Sequence, residues 1–321
     1  MLTLFLWLTW PALLLISGVV DAFRYLTKRV PFATTRLLLF GMFYGIAELV
    51  GMSALGVVWL VARNDRTKLV ELTYEVQGRW VGALFAAACV LFDLRFTVEG
   101  AAACKPGPIL LLMQHTSLVD TLLPTVFVTK PHGIRLRFVL KRELLALPCL
   151  DIAGNRLPNH FVTRSADNNN NNNNNTSDLE RVRHLAEGLG PSEGVLLYPE
   201  GTRFTRRKLT RSLERLREVD PARYERVSKL EHAMPIRRGG PLAVLDGAPE
   251  ADLVIAAHRG LEGFAELPDI WRGGMVGRRP VLRFWRIPRA DVPATEEERM
   301  NFLDAEWARV DAFTRGAEDK T

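Results

Sequence analysis

The stretch LLLMQHTSLVDTLLP, residues 111–125, places a histidine and an aspartate between two apolar segments. His115 follows a short apolar run typical of a buried strand, and Asp120 begins a second apolar run that is predicted to be helical. At this spacing the carboxylate can reach back to Nδ1 of the imidazole, fix its tautomer and leave Nε2 free as a base. The pair therefore predicts a general base that removes a proton from a substrate hydroxyl.

Two other interpretations of this pair stay open from the sequence. His115 could be an incidental residue at the N-terminus of a helix, because a histidine and an aspartate at this distance are a weak signal by themselves. A metal site has less support, since no other His, Asp or Cys stands at ligand spacing nearby. We therefore expect no metal ion.

A second polar segment, LLYPEGTRFT at residues 196–205, also follows an apolar run. Gly201 allows a ligand to approach backbone amides closely, and the guanidinium of Arg203 can hold a phosphate through two parallel hydrogen bonds. Glu200 could orient that arginine or the acceptor, and Thr202 belongs to the same turn. An exposed capping turn with an ion pair is the alternative. Because both polar segments occur in one chain, we favour a binding turn.

From about residue 95 onward, short apolar segments bounded by Gly, Pro or charge alternate with segments that fit helices. This alternation predicts an α/β fold, a mixed sheet flanked by helices, formed by residues 95–321 as one domain. Both polar segments then stand at strand ends, where such folds bind ligands. The predicted strands are residues 109–113, 136–140, 160–163, 194–198, 253–257 and 281–285.

Eight consecutive asparagines, residues 168–175, interrupt this domain. Such a tract buries no apolar surface, so it predicts a flexible loop or an insertion. We assign it no function.

Near the end of the chain, Thr295 and Glu298 stand at capping-box spacing and predict the start of a helix. Apolar residues then recur on one helical face, which indicates packing against the core. They are Met300, Leu303, Trp307 and Val310.

The N-terminal region is predominantly apolar and predicts two membrane helices. Residues 2–20 carry no charge, and residues 37–62 carry one ionisable residue, Glu48. Each run is long enough to cross most of a hydrocarbon core of about 30 Å. A signal peptide fits poorly, because no basic residue precedes the first run and a second run follows almost at once. We predict a membrane-anchoring helical hairpin over residues 1–62, which either spans the bilayer or enters one leaflet.

Residues 63–94 are predicted to be a linker and an interfacial helix. The apolar stretch at residues 80–92 has 13 residues, too few to span a bilayer. It could alternatively be the first core helix of the catalytic part.

The chain is basic, with 42 Lys and Arg against 36 Asp and Glu and a formal net charge of +6. This excess favours contact with anionic lipid or another polyanion. Nucleic acid is not an expected partner, because the sequence has no zinc-finger spacing, RNP-type aromatic motif or basic tail. The three cysteines form no C-x-x-C pair and are odd in number, which favours a reducing compartment and a catalytic domain that faces the cytoplasm.

Several motifs resemble the lysophospholipid and glycerolipid acyltransferase family, which includes the 1-acylglycerol-3-phosphate acyltransferases. HTSLVD and PEGTR are similar to the first and third sequence blocks of that family, and KRELLALPCLDIAGNRLPNHFVTR, residues 141–164, is similar to the second. YPEGTRFTRRK, MPIRRGG at residues 234–240 and the tail FLDAEWARVDAFTRG resemble the branch that contains lysocardiolipin acyltransferases. The resemblance covers about residues 80–315.

The resemblance implies that His115 is the general base and that Asp120 orients it. It also implies that Arg164 and the turn from Glu200 to Arg203 hold the phosphate of the acceptor. The base takes the proton of a glycerol hydroxyl, and the oxygen attacks an acyl thioester, so that neither an acyl-enzyme nor a cofactor is needed. The acyl donor would be acyl-CoA or an acyl-carrier protein.

Three functions are compatible with the sequence. The favoured one is acyl transfer to 1-acyl-glycerol-3-phosphate, also called lysophosphatidic acid, which gives phosphatidic acid. The second is an acyltransferase or transacylase that remodels another lysolipid, such as lysocardiolipin. The third, a non-catalytic membrane lipid-binding protein, is disfavoured because a binding module needs no base.

Overall fold

The structure, a computed structural model, describes residues 2–162, 172–262, 264 and 266–316. The strands in these ranges are β1 (Thr97–Glu99), β2 (Ile109–Met113), β3 (Arg135–Lys141), β4 (His160–Val162), β5 (Glu193–Leu197), β6 (Asp252–Arg259) and β7 (Val281–Ile287). They form one sheet in the order β1-β7-β6-β2-β5-β3-β4. Neighbouring strands are parallel except β6 and β7, which are antiparallel. The predicted mixed sheet is confirmed.

The six strands predicted from the sequence are all present, with ends that differ by at most two residues. The sequence pattern missed β1, because its three residues are too few to show an alternation. The pattern also ended β6 at Ala257, whereas the strand continues through His258 to Arg259. The extension places His258 within the sheet.

Helices cover both faces of the sheet. The first three are α1 (Leu2–Lys28), α2 (Ala33–Ala62) and α3 (Arg66–Phe92). The others are α4 (Lys130–His132), α5 (Pro148–Arg156), α6 (Asn172–Ala186), α7 (Arg206–Val219), α8 (Pro221–Val227), α9 (Gly239–Gly247), α10 (Leu267–Trp271) and α11 (Glu296–Arg315). The fold is therefore an α/β sheet with covered faces, preceded by helices.

The central strand β2 is buried at every position, as expected for a parallel strand with helices on both sides. Its side chains alternate between two hydrophobic clusters. Leu110 and Leu112 join a cluster that includes residues of α6, α9 and α11. Ile109, Leu111 and Met113 join a second cluster on the opposite face. The apolar stripe predicted for the C-terminal helix is confirmed, since it is buried in the first cluster.

Both predicted N-terminal helices are present, as α1 and α2. Among the described residues, the helices long and apolar enough to cross a membrane are α2 and α3. The predicted linker with a short interfacial helix is wrong, because α3 runs for 27 residues from Arg66. Asp65 caps the start of α3 by accepting a hydrogen bond from the backbone N–H of Lys68, so the helix begins well before the apolar stretch at residue 80. Ala88 and Phe92 of α3 lie in the hydrophobic core, so α3 is a core helix.

Helix α2 is bound to the catalytic part of the chain. Glu48 Oε2 accepts a hydrogen bond from the backbone N–H of Cys149, 3.0 Å away, in the first turn of α5. A carboxylate is stabilised at this end of a helix, where N–H groups lack partners within the helix. Arg156, at the other end of α5, donates to the carbonyl oxygen of Leu55. Helix α2 is thus packed against the domain that it precedes.

The asparagine tract is partly helical. Residues 168–171 lie outside the described residues, whereas α6 begins at Asn172. The prediction of a loop is therefore wrong for residues 172–175. Val182 and Ala186, near the C-terminal end of α6, pack in the first hydrophobic cluster. This packing stabilises the helix, which extends back into the tract at its N-terminal end.

Candidate active site

The two polar segments found in the sequence meet at one edge of the sheet. Strands β2 and β5 are parallel neighbours, so their carboxyl ends reach the same edge. His115 follows β2 and Tyr198 follows β5, and the centroids of their rings are 4.6 Å apart. The backbone N–H of Phe204 donates to the carbonyl oxygen of His115 over 2.8 Å. The turn after β5 is thus hydrogen-bonded to the backbone of His115.

His115 and Asp120 form the predicted pair. Nδ1 of His115 lies 2.9 Å from Oδ1 of Asp120. The other carboxylate oxygen, Oδ2, accepts the backbone N–H groups of Thr116 and Ser117, each at 2.7 Å. Ser117 Oγ in turn accepts the backbone N–H of Asp120. These reciprocal bonds hold the carboxylate in place before any substrate binds.

Burial by itself would raise the pKa of Asp120, which is fully buried. The imidazoles of His115 and His258 outweigh this effect and lower the pKa of Asp120 below its ordinary value. An ionised Asp120 accepts a hydrogen bond from Nδ1, so the proton of a neutral His115 lies on Nδ1. Nε2 is then the basic nitrogen, as general-base catalysis requires.

The segment after His115 differs from the single apolar helix predicted. Asp120 lies in a 3-10 turn, Val119–Thr121, and a π-helical segment follows at Thr125–Thr129. Pro124 lies between them and has no backbone N–H to donate, which interrupts a regular helix. The short turn allows the backbone N–H groups of Thr116 and Ser117 to point at Asp120.

Gly201 occupies the sharpest point of the turn after β5. Its φ of +67° is in the left-handed region that favours glycine. A Cβ at this position would lie 2.6 Å from Nε of Arg237. The backbone N–H of Arg237 also donates to the carbonyl oxygen of Pro199. The segment MPIRRGG therefore brings a guanidinium against this turn, which sequence spacing did not indicate.

Thr202 and Arg203 complete the turn and are partly exposed. Nζ of Lys208 donates to Thr202 Oγ1 over 3.1 Å and to the carbonyl oxygen of Arg203 over 3.0 Å. Lys208 is in the first turn of α7, which Thr205 caps. Arg203, Lys208 and Arg237 give this turn the positive charge expected of an anion-binding site.

Glu200 points into the protein core. It is 2% exposed, and its Oε1 accepts hydrogen bonds from Trp307 Nε1 at 3.1 Å and from the backbone N–H of Met234 at 3.4 Å. Burial raises the pKa of Glu200 well above its ordinary value, which favours the protonated carboxyl. The side chain thus anchors the turn on α11, while Gly201, Thr202 and Arg203 remain at the surface of the site.

Arg164, the remaining predicted acceptor-binding residue, lies outside the described residues. Within the described ranges, no group of three or more His, Cys, Asp and Glu side chains is arranged to hold a metal ion.

His258 is the main residue of this site that the sequence interpretation missed. It is fully buried on β6, and its Nε2 lies 3.5 Å from Oδ2 of Asp120. In the pairing of β2 with β6, Met113 is opposite Ala256, and His115 and His258 each follow two residues later in the chain. Knowledge of that pairing would have revealed it, whereas the spacing of these residues in the sequence carries no such signal.

Residues 95–219 match the model of the family described as Acyltransferase. That match covers His115, Asp120 and the whole turn after β5. No match was found among curated protein sequences.

A solved structure has a similar fold. It is the 1-acyl-sn-glycerophosphate (LPA) acyltransferase PlsC from Thermotoga maritima, with a TM-score of 0.55 and 16% sequence identity. The similarity covers 88% of this chain and 95% of that one. At this identity the likeness shows the fold alone. The sequence match thus identifies an Acyltransferase domain at residues 95–219, and the structural match shows the fold.

Proposed function

We propose that this protein is a membrane-bound acyltransferase that moves an acyl chain from an acyl thioester to the free hydroxyl of a lysophospholipid. The observation that carries the proposal is the buried pair of His115 and Asp120, with Nδ1 and Oδ1 2.9 Å apart, beside a positively charged turn. The Acyltransferase match over residues 95–219 supports the reaction type. The first-choice acceptor is 1-acyl-glycerol-3-phosphate, and the product is then phosphatidic acid.

The proposed reaction needs one base and one anion-binding turn. Nε2 of His115 takes the proton of the acceptor hydroxyl as the oxygen attacks the thioester carbonyl. A carbon–oxygen bond forms, the carbon–sulfur bond breaks, and the leaving thiolate receives the proton from the imidazolium. Asp120 stabilises that imidazolium and keeps Nδ1 protonated throughout. The donor is acyl-CoA or an acyl-carrier protein.

The acceptor phosphate is proposed to bind at the turn formed by Glu200, Gly201, Thr202 and Arg203. The Thr202 hydroxyl and the Arg203 guanidinium supply donors, and Gly201 allows close approach to the backbone. Glu200 contributes by anchoring the turn to Trp307, since its carboxyl is buried. Arg164 is proposed as a further phosphate ligand from the family resemblance.

An acceptor panel tests the substrate. Purified protein in detergent is supplied with labelled acyl-CoA and, separately, lysophosphatidic acid, lysocardiolipin and a lysolipid without a phosphate monoester. Preferred acylation of lysophosphatidic acid supports the proposal, whereas preference for lysocardiolipin would favour the remodelling branch. Formation of no acylated product from any acceptor, with acyl-CoA or with acyl-carrier protein, would leave a lipid-binding protein as the better explanation.

The variant Arg203→Lys tests the phosphate site. It keeps the charge but loses the planar pair of donors, so the KM for lysophosphatidic acid should rise more than the KM for an acceptor without the monoester. Arg211→Lys, on the exposed surface of α7, is the matched control. Equal effects of Arg203→Lys on both acceptors would mean that the turn does not bind the phosphate.

Membrane attachment is proposed from the two apolar N-terminal helices, α1 and α2. Carbonate extraction of the full-length protein from membranes tests it. Recovery in the membrane fraction is expected, and release into the soluble fraction would contradict integral attachment.

A further inference from the structure

Asp120 contacts a second histidine through its other carboxylate oxygen. Nε2 of His258 lies 3.5 Å from Asp120 Oδ2 and 3.3 Å from the carbonyl oxygen of Gln114. His258 and Asp120 both have 0% relative exposure. Solvent therefore does not screen this contact, unlike that of an exposed ion pair.

The surroundings of His258 define which ring nitrogen carries its proton. Both groups that face Nε2, the Gln114 carbonyl and the Asp120 carboxylate, are hydrogen-bond acceptors, so Nε2 is the donor. Nδ1 is buried and has no hydrogen-bond partner among the described residues. A proton on Nδ1 would be an unsatisfied buried donor, which costs free energy. His258 therefore acts toward Asp120 as an N–H donor through Nε2.

We propose that His258 is a positioning residue that donates to Oδ2 of Asp120 and so holds Oδ1 in line with Nδ1 of His115. The inference rests on the proposed function, in which His115 is the base. Oδ2 also accepts the N–H groups of Thr116 and Ser117, so three donors draw negative charge toward it. Without His258, more charge is available to Oδ1, which stabilises the protonated form of His115.

The position of His258 is set by the sheet. Oε1 of Gln114 faces the backbone N–H of His258 at 3.4 Å and accepts the hydroxyl of Thr314 at 3.0 Å. The side-chain Nε2 of Gln114 donates to the carbonyl oxygen of His232. The backbone N–H of Gln114 donates to the carbonyl oxygen of Ala256. These bonds connect β2, β6 and α11, so the donor to Asp120 is on a rigid element.

Charged and titratable groups occur on each element that packs against β6. They are His115 after β2, Asp120 in the following turn, Tyr198 and Glu200 after β5, Arg283 on β7, Asp311 and Arg315 on α11, and Arg259 next to His258. Glu200 is bonded to Trp307, and Asp311 accepts three backbone N–H groups of residues 231–233. Arg283 binds Glu99, and the Arg259 guanidinium lies over the ring of Phe313. Among the described residues, the carboxylate within 4.0 Å of the His258 ring is that of Asp120, at 3.5 Å.

Three substitutions separate hydrogen bonding from simple space filling. His258→Gln keeps an N–H donor near the position of Nε2, whereas His258→Asn is shorter and does not reach it. His258→Leu fills the space without a donor. The matched set therefore differs mainly in whether Oδ2 of Asp120 keeps its third donor.

The first readout is the pH profile of kcat/KM with the acceptor that the panel identifies. For His258→Leu and His258→Asn we expect the acid limb of the kcat/KM profile to move to higher pH by about one unit. The value of kcat/KM should then fall about tenfold at pH values below the limb and equal that of the wild type above it. His258→Gln should keep the wild-type profile. The KM for the thioester should not change in any variant, because His258 is buried away from solvent and substrate. A loss by the same factor at every pH, or identical profiles for the Gln and Leu variants, would overturn the proposal.

The second readout needs no substrate. The imidazole signal of His115 is followed by NMR against pH in full-length protein with labelled histidine, and is identified by its loss in His115→Gln. Its midpoint should move to higher pH in His258→Asn relative to His258→Gln, and equal midpoints would overturn the proposal even if His258→Leu does not fold. Wild-type protein that acylates no acceptor would refute the proposed function, while this titration would still decide the role of His258.

Discussion

Trp307 of α11 donates its indole N–H to Glu200, 3.1 Å away, and so connects the C-terminal helix to the turn beside the candidate base. Oε2 of the same carboxyl is buried and has no hydrogen-bond partner among the described residues. A protonated carboxyl avoids placing a charge there, which explains why burial raises the pKa of Glu200. Burial thus favours the protonated form of the carboxyl that holds this turn.

The variant Glu200→Gln should change how stability depends on pH. A carboxyl whose pKa is raised on folding stabilises the protein fully below its ordinary value of 4.5 and loses that contribution as pH rises toward the folded pKa. The wild-type free energy of unfolding should thus fall by up to about 1.4 kcal/mol for each pH unit in that window. The glutamine has no ionisable group, so this slope should disappear. The free energy of unfolding, measured in detergent at pH 5, 6.5 and 8 for the wild type and the variant, gives both slopes.

Glu193→Gln is the matched control with the opposite sign. Burial would raise the pKa of Glu193, but hydrogen bonds from Gly190 N–H and Arg137 lower it below its ordinary value. Its contribution is present above that ordinary value and is lost as pH falls, so its glutamine variant should be less stable at pH 8 than wild type. Parallel pH slopes for Glu200→Gln and the wild type would contradict a raised pKa of Glu200.

Replacement of the base should abolish acyl transfer. His115→Ala removes Nε2, and loss of a general base typically costs about 10² to 10⁴-fold in rate. The rate of labelled acyl transfer at saturating substrate measures it. His184→Ala, an exposed histidine on α6, is the control and should keep full activity. A folded His115→Ala variant with more than about a tenth of the wild-type rate would refute the assignment of His115 as base.

The variant Asp120→Asn should lose almost as much activity as His115→Ala. From the sequence alone a milder effect would be expected, because the base itself remains. The backbone N–H groups of Thr116 and Ser117 require an oxygen at the Oδ2 position, so the new amide NH2 must face Nδ1 of His115. The proton of the imidazole then moves to Nε2, and the basic nitrogen no longer faces the acceptor.

The rate of acyl transfer across the pH range tests this tautomer argument. Because a tautomer change is not reversed by deprotonation, raising the pH should not restore the activity of Asp120→Asn. Recovery of the wild-type rate at high pH would instead mean that the asparagine presents its oxygen to His115.

Gly201→Ala should weaken acceptor binding through contact with Arg237. The new Cβ would lie 2.6 Å from Nε of Arg237, so the guanidinium must move away from the turn. Gly133→Ala is the control, because Gly133 has a similar φ of +68° but no atom within 4 Å of the new Cβ. Both variants should lose stability from backbone strain, by about 1 kcal/mol. A raised KM for the acceptor is expected in Gly201→Ala alone, and equal KM values in the two variants would contradict a role of Arg237 at this turn.

Local sequence was sufficient to predict the parts of the site that lie close together in the chain. His115 and Asp120 are five residues apart, within reach of one turn of chain, and the structure pairs them at 2.9 Å. The strands that carry the site were also predictable, because continuous apolar runs bounded by Gly, Pro or charge are typical of buried strands. Thr295 caps the start of α11 as expected, since its hydroxyl oxygen accepts the backbone N–H of Glu298.

The regions that were predicted incorrectly depend on contacts with other parts of the chain. The first half of α3 is polar, yet it is helical because Asp65 caps it and its apolar end is packed in the core. The start of α6 is formed by asparagines, whose intrinsic preference is for turns. In both places, packing of one end of a helix outweighs the local preference of the other end.

The sequence by itself determined the candidate base, the carboxylate beside it and the glycine-containing turn, since each is encoded within a few residues. Tertiary structure alone decided that β6 and β5 flank β2, which brings His258 to Asp120 and Tyr198 to His115. It also decided that Trp307 holds Glu200 and that Arg237 packs against Gly201. These contacts join residues far apart in the chain. Spacing in the sequence carries no information about such pairs, because their distances follow from strand order and register across the sheet.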